Sequence, residues 1–202
     1  MRAAICILVL TIGFTALGST AFAQQRRGQP PISEPPSRNR LIGYFLASFG
    51  GEFKLKGNGF RGDVNADPGV GLGFRYEFLA TDSFSISPMV EWTAYDTRGP
   101  GDRSHFFDFD VFLKIRKAVR TGSATIEFYG GLPIGFTVAA PDGLDEAFLG
   151  FNMGALFGAA LFFKEKYGLF LESGWRMHAI WNDGTRGLLN QGVIHFGGAF
   201  AI

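Results

Sequence analysis

Phe107-Asp-Phe-Asp-Val-Phe-Leu-Lys-Ile-Arg116 is the stretch on which the fold turns. Taken alternately, Phe107, Phe109, Val111, Leu113 and Ile115 are all apolar. The residues between them, Asp108, Asp110, Phe112, Lys114 and Arg116, are mostly charged. A period of two marks an extended strand whose side chains point to two faces. In a soluble sheet the apolar face is the core. In a membrane barrel it is turned outward to lipid and the polar face lines the lumen. The rest of the chain decides between them.

The composition favours sheet. Gly occurs 29 times and Phe 23 times in 202 residues, well above ordinary usage of roughly 7% for Gly. Gly costs about 1 kcal/mol against Ala in a helix interior, so this mixture suits curved strands with an aromatic face. Basic and acidic residues number 19 and 18, so no basic excess points to nucleic acid. At the N-terminus, Arg2 precedes an uncharged run from Ala3 to Leu17, then Ala21-Phe22-Ala23. A positive start, an apolar middle and an Ala-x-Ala site predict a secretory signal peptide over 1–23, cut after Ala23, with an uncleaved anchor helix as the competing reading. Cys6 lies inside it, so the mature protein has no disulfide. Residues 24–40 hold Pro30, Pro31, Pro35, Pro36, Arg26, Arg27, Arg38 and Arg40 with almost no bulky apolar residue. They are predicted to be an extended periplasmic linker.

From Leu41 onward the alternation recurs in eight segments: 41–55, 70–79, 84–95, 107–116, 124–138, 147–163, 167–180 and 191–202. The connections after the odd segments are longer and polar, among them Lys56 to Gly69, and those after the even ones are short. An up-and-down barrel with both ends on one side of a membrane has this alternation of loops. Even strand number lets the last strand pair with the first and removes the open edge. The predicted fold is therefore all-β, an eight-stranded antiparallel transmembrane β-barrel over 41–202.

A soluble barrel of the same size would put the apolar set inside. The other set argues against that. It carries both signs, as Glu52, Lys54, Arg75, Glu77, Glu91, Asp108, Asp110, Lys114, Arg116, Glu127, Glu172 and Arg176. Interleaved opposite charges can pair across a narrow lumen, with Glu127 a predicted partner of Lys114. Gly71, Gly73, Gly131, Gly135, Gly154, Gly158, Gly174 and Gly197 share that face and leave room for long neighbours. Two features resist. Residues 147–163 are apolar apart from Asn152 and approach the roughly 17 residues of a membrane helix; Gly150, Gly154 and Gly158 favour a strand. Pro88 and Pro133 each remove a ladder hydrogen bond and predict a bulge or gap.

The strand Val70-Gly-Leu-Gly-Phe-Arg-Tyr-Glu-Phe78 and the last strand, Gly192-Val-Ile-His-Phe-Gly-Gly-Ala-Phe-Ala-Ile202, resemble the small Gram-negative outer-membrane barrels of OmpA-like and OmpX-like type. That resemblance implies residence in the cell outer membrane, contact with outer-membrane lipid and lipopolysaccharide, and insertion by the barrel-assembly machinery. The alternating terminal strand is the assembly signal in such families. Phe196, Phe200 and Ile202 keep its alternation, with Ile in place of the terminal aromatic.

An eight-stranded lumen is just wide enough for side chains to fill it. The expected function is thus a barrel with a charge-filled lumen that acts structurally or through surface loops. A narrow ion or small-solute pore is the alternative. No cofactor is expected. His105 and His195 are scattered without metal spacing. Gly69-Val-Gly-Leu-Gly73 has no following helix and is no phosphate loop. The resemblance also raises a lipid A-modifying enzyme, through Arg176-Met-His178-Ala-Ile-Trp-Asn182 with Glu172 upstream. His178 could act as a base, but Ile180 stands where that motif places Ser, and Ser173 falls on the opposite face by parity. Without a nucleophile beside the base, no catalytic residue is assigned.

Overall fold

The computed structural model describes residues 39–57, 60–96, 103–142, 147–164, 166–182 and 184–202. The leader and linker, with Ala21 and Ala23, lie outside the described residues apart from Arg40. All regular elements among the described residues are strands: β1 (Arg40–Gly57), β2 (Phe60–Ala66), β3 (Gly69–Leu79), β4 (Phe84–Asp96), β5 (Arg103–Thr121), β6 (Ala124–Pro141), β7 (Phe148–Phe163), β8 (Tyr167–Asn182) and β9 (Thr185–Ala201). Neighbours pair antiparallel, and β1 pairs with β9 as well as with β3. Each of the eight strands other than β2 therefore has a partner on both sides.

Parity along the strands assigns the faces. Phe107, Phe109, Val111 and Ile115 are exposed on the outer wall, while Asp108, Asp110, Phe112 and Lys114 are buried inside. The outer wall continues through Phe45, Leu72, Phe74, Val90, Phe136, Leu171 and Phe196. An exposed apolar surface of this extent cannot face water in a monomer. It is the lipid belt of a membrane barrel. The apolar run 147–163 takes the strand form from Phe148 onward, as β7, and its Asn152 and Leu156 point inward.

Both prolines open a gap without changing register. The β3–β4 ladder runs from Arg75↔Met89 to Phe78↔Ile86 and omits the pairs at Ser87 and Pro88. The β6–β7 ladder passes from Gly131↔Leu156 to Ile134↔Met153 and omits those at Leu132 and Pro133. Proline lacks the N–H that would bridge there.

The inward glycines answer to large neighbours. A Cβ on Gly158 would lie 2.6 Å from Glu172 Cβ and 2.8 Å from the Tyr129 ring. One on Gly131 would lie 2.6 Å from the Phe112 ring. Gly158→Val is expected to destabilise the barrel by about 1–3 kcal/mol through overpacking, read by urea unfolding, whereas Ala159→Val on the outer side of β7 should change little.

The first strand departs from simple alternation. Gly50 has φ 56° and the β1–β9 register shifts between Phe49 and Gly51. A β-bulge adds one residue and exchanges the faces beyond it. Phe53, expected on the outer wall, turns inward against the buried cluster that contains Tyr95, Phe106 and Leu189. Glu52 and Lys54, expected in the lumen, turn outward. Their side chains are 51% and 55% exposed and pair with each other at 3.2 Å. The expected polar loop 56–69 is mostly strand: β1 runs on to Gly57 and pairs with β2 from Gly57↔Phe60 to Gly51↔Ala66. The expected loop 181–190 likewise closes to a turn between Asn182 and Thr185.

Candidate functional site

The inward charges form three tiers along the lumen. At the end carrying the termini, Glu127 accepts from Lys114 at 3.1 Å, Arg116 at 2.8 Å and Arg40 at 2.9 Å. Glu77 pairs with Lys114 and with Arg40, the latter at 3.2 Å, and accepts from Ser85 Oγ at 2.6 Å. Arg40 opens β1 rather than closing the linker, and its guanidinium lies 4.1 Å from the Phe162 ring centroid.

In the middle tier, Arg75 donates to Glu172 at 2.8 Å. Its guanidinium sits among the rings of Phe112, Tyr44 and Phe170, at 4.8, 5.1 and 5.1 Å. Tyr129 donates to the other Glu172 oxygen at 2.9 Å, and His195 Nδ1 lies 2.8 Å from the first. Tyr44 donates to Glu91 at 2.8 Å. Glu91 also meets Arg176 at 3.0 Å and so ties this tier to the next.

The third tier is centred on Arg176. It reaches Asp110 at 2.7 Å, Asp108 at 3.4 Å and Asn152 Oδ1 at 3.1 Å. Asp108 accepts from Thr137 Oγ1 and lies 3.0 Å from His178 Nε2. Six inward carboxylates (Glu77, Glu91, Asp108, Asp110, Glu127 and Glu172) thus face five inward cations (Arg40, Arg75, Lys114, Arg116 and Arg176) among the described residues.

Ten of the twelve expected lumen charges are therefore inside, and Lys114 meets Glu127 as expected. Alternation puts His178 and His195 on this inward face by parity with Arg176 and Gln191, whereas Arg40, expected in the linker, joins the network only in the folded barrel. Charge reading did not find the apolar part of the lumen. Ile42, Leu46, Met89, Phe112, Leu156, Phe162 and Phe170 fill the space around the lower tiers. Ala66, Tyr95, Phe106, Ala139, Ile180 and Leu189, with Phe53 and Phe148, close the loop end above Arg176.

This geometry bears on catalysis. His178 and Asp108 make a base–carboxylate pair, yet the neighbouring hydroxyl of Thr137 donates to the carboxylate, not to the imidazole. Ile180 joins the apolar closure, and Ser173 is exposed on the outer wall. His105 is also on the wall, where it accepts from Trp92 Nε1 at 3.3 Å. No group of three or more His, Cys, Asp or Glu side chains suited to a metal occurs among the described residues. On the last strand, Phe196 and Ile202 are exposed and Phe200 packs against Tyr167 at 5.4 Å.

A closed antiparallel barrel with an apolar outside and an ionic inside has a known counterpart. The crystal structure of the outer membrane protein OprG from Pseudomonas aeruginosa superposes over 82% of this chain and 96% of that one, with a TM-score of 0.57 at 13% identity. This chain has the fold of an outer-membrane β-barrel. The likeness extends to Neisserial surface protein A (14% identity, 81% of this chain and 97% of that one, TM-score 0.40) and to Ail, the attachment invasion locus protein of Yersinia pestis (11%, 82% and 99%, 0.36). Neither a protein-family model nor a curated protein matches the sequence.

Proposed function

We propose that the chain is a non-conducting barrel of the outer membrane, whose filled lumen supports surface loops that make its contacts. The carrying observation is the apolar closure of the loop end above three interlocked ionic tiers. The void among Arg40, Arg75, Glu77, Lys114 and Glu127 amounts to about 10 Å³, room for a single water at most. The connections from β1 to β2, β4 to β5 and β6 to β7 follow strand ends opposite the start of β1 and the end of β9, and connections on a rigid scaffold are where binding usually resides.

Two measurements test this. Unboiled and boiled samples should migrate differently on a denaturing gel; equal mobility would remove the barrel itself. Reconstituted in a planar bilayer, the wild-type protein should give no unitary conductance. Steady channels there would favour the pore reading, in which the charged tiers set ion selectivity. Overexpression is expected to leave the acyl pattern of lipid A unchanged, because among the described residues the hydroxyl nearest this pair, Thr137, donates to Asp108 and not to His178.

A further inference from the structure

Beyond the bulge, the outer wall changes character. On β1, Phe53 is inward, so Lys54 and Lys56 stand on the outer face, both exposed. On β9, Gly187 and Leu189 are inward and Arg186 is exposed on the outside. On β8, Ile180 is inward and Trp181 is outside. The register aligns them: Lys56 lies opposite Arg186, and Arg186 opposite Trp181.

Like charges directly opposite across a ladder destabilise it. Lys54 has Glu52 beside it at 3.2 Å, but the row of Lys56 and Arg186 juxtaposes two cations. These residues line a groove of about 730 Å³ together with Asn182 and Thr185. Trp181 and its opposite number on β7, Leu149, are exposed and carry the apolar belt up to this level. The groove therefore sits on the rim of the belt, where a bilayer presents its headgroups and where tryptophan is enriched.

We propose that this face of β1, β9 and β8 seats a phosphorylated headgroup of an outer-leaflet lipid. An anionic phosphate between Lys56 and Arg186 turns the repulsive pair into a chelate, with the arginine fork suited to two of its oxygens. Trp181 and Leu149 lie against the start of the acyl chains. The inference rests on the outer-membrane reading and names one lipid contact of that barrel.

The probe is bisphosphorylated lipid A and the same lipid with its phosphates removed, each added to the detergent-purified full chain and followed by native mass spectrometry. The phosphorylated lipid should bind about thirtyfold more tightly, the increment expected for two cations at a membrane surface. The double variant K56Q/R186Q should lose that preference while keeping the heat-dependent gel shift. Equal binding of both lipids by the wild type overturns the proposal without recourse to any variant. So does a double variant that keeps the preference. Inorganic phosphate at millimolar concentration should not displace the lipid; if it does, the groove is a free-anion site and not a lipid seat. Loss of the gel shift in the wild type would instead indict the barrel reading.

Discussion

Arg176→Ala is expected to cost the barrel about 3–5 kcal/mol, the usual penalty for removing one partner of a buried ion pair. Arg176 is buried and touches Glu91, Asp108 and Asp110 at 3.0, 3.4 and 2.7 Å. Alanine leaves Glu91, Asp108 and Asp110 above the aromatic middle tier without the guanidinium that they share. The charge on Glu91 can lean on Tyr44, but Asp110 has no other cation within ion-pairing distance among the described residues. Urea unfolding followed by tryptophan fluorescence should show the midpoint fall, and the temperature that abolishes the gel shift should fall with it. Arg176→Lys keeps a charge but not the fork that spans several oxygens, and should lose part of that amount. Lys54→Ala supplies the contrast. Its pair with Glu52 is exposed, so the expected change is within about 1 kcal/mol. A large loss at Lys54, or a small one at Arg176, would mean that the faces of β1 or β8 are assigned the wrong way round.

The sequence made these faces legible wherever the strand is regular. The stretch from Phe107 to Arg116 assigns every inward and outward residue correctly, because a two-residue period has only two answers. It fails past Gly50, because one bulge residue reverses all later assignments on that strand at once. The signal was present in the sequence: Gly50-Gly51 inside an alternating strand suggests a bulge. Partners were harder to read than faces. Glu127 meets Lys114 and Arg116 from the adjacent β5, which register arguments can reach. Arg75 on β3 meets Glu172 on β8, across the lumen. Such a contact depends on strand tilt and stagger, which no local pattern contains. Parity also puts Phe112 and Phe162 on the inward side, but that their rings pack against the guanidinium groups of Arg75 and Arg40 depends on the same cross-lumen geometry.

Phe109→Arg is the substitution that tests which side of the wall is wet. Phe109 lies well inside β5, 51% exposed, between Val90 on β4 and Phe136 on β6. If lipid covers this face, arginine at that depth should cost about 2–4 kcal/mol in a bilayer, because its charge has neither water nor a partner there. On a water-covered surface the same change falls within about 0.5 kcal/mol. Unfolding from phospholipid vesicles separates the two, and Val119→Arg provides an internal gauge. Val119 is exposed on the same face but near the β5–β6 turn, where the penalty of a midplane charge falls to about 0–1 kcal/mol. A depth-dependent pair of values requires a hydrocarbon slab around the strand. Equal small values would leave the exposed aromatics at Phe74, Phe109 and Phe136 without an environment that accounts for them.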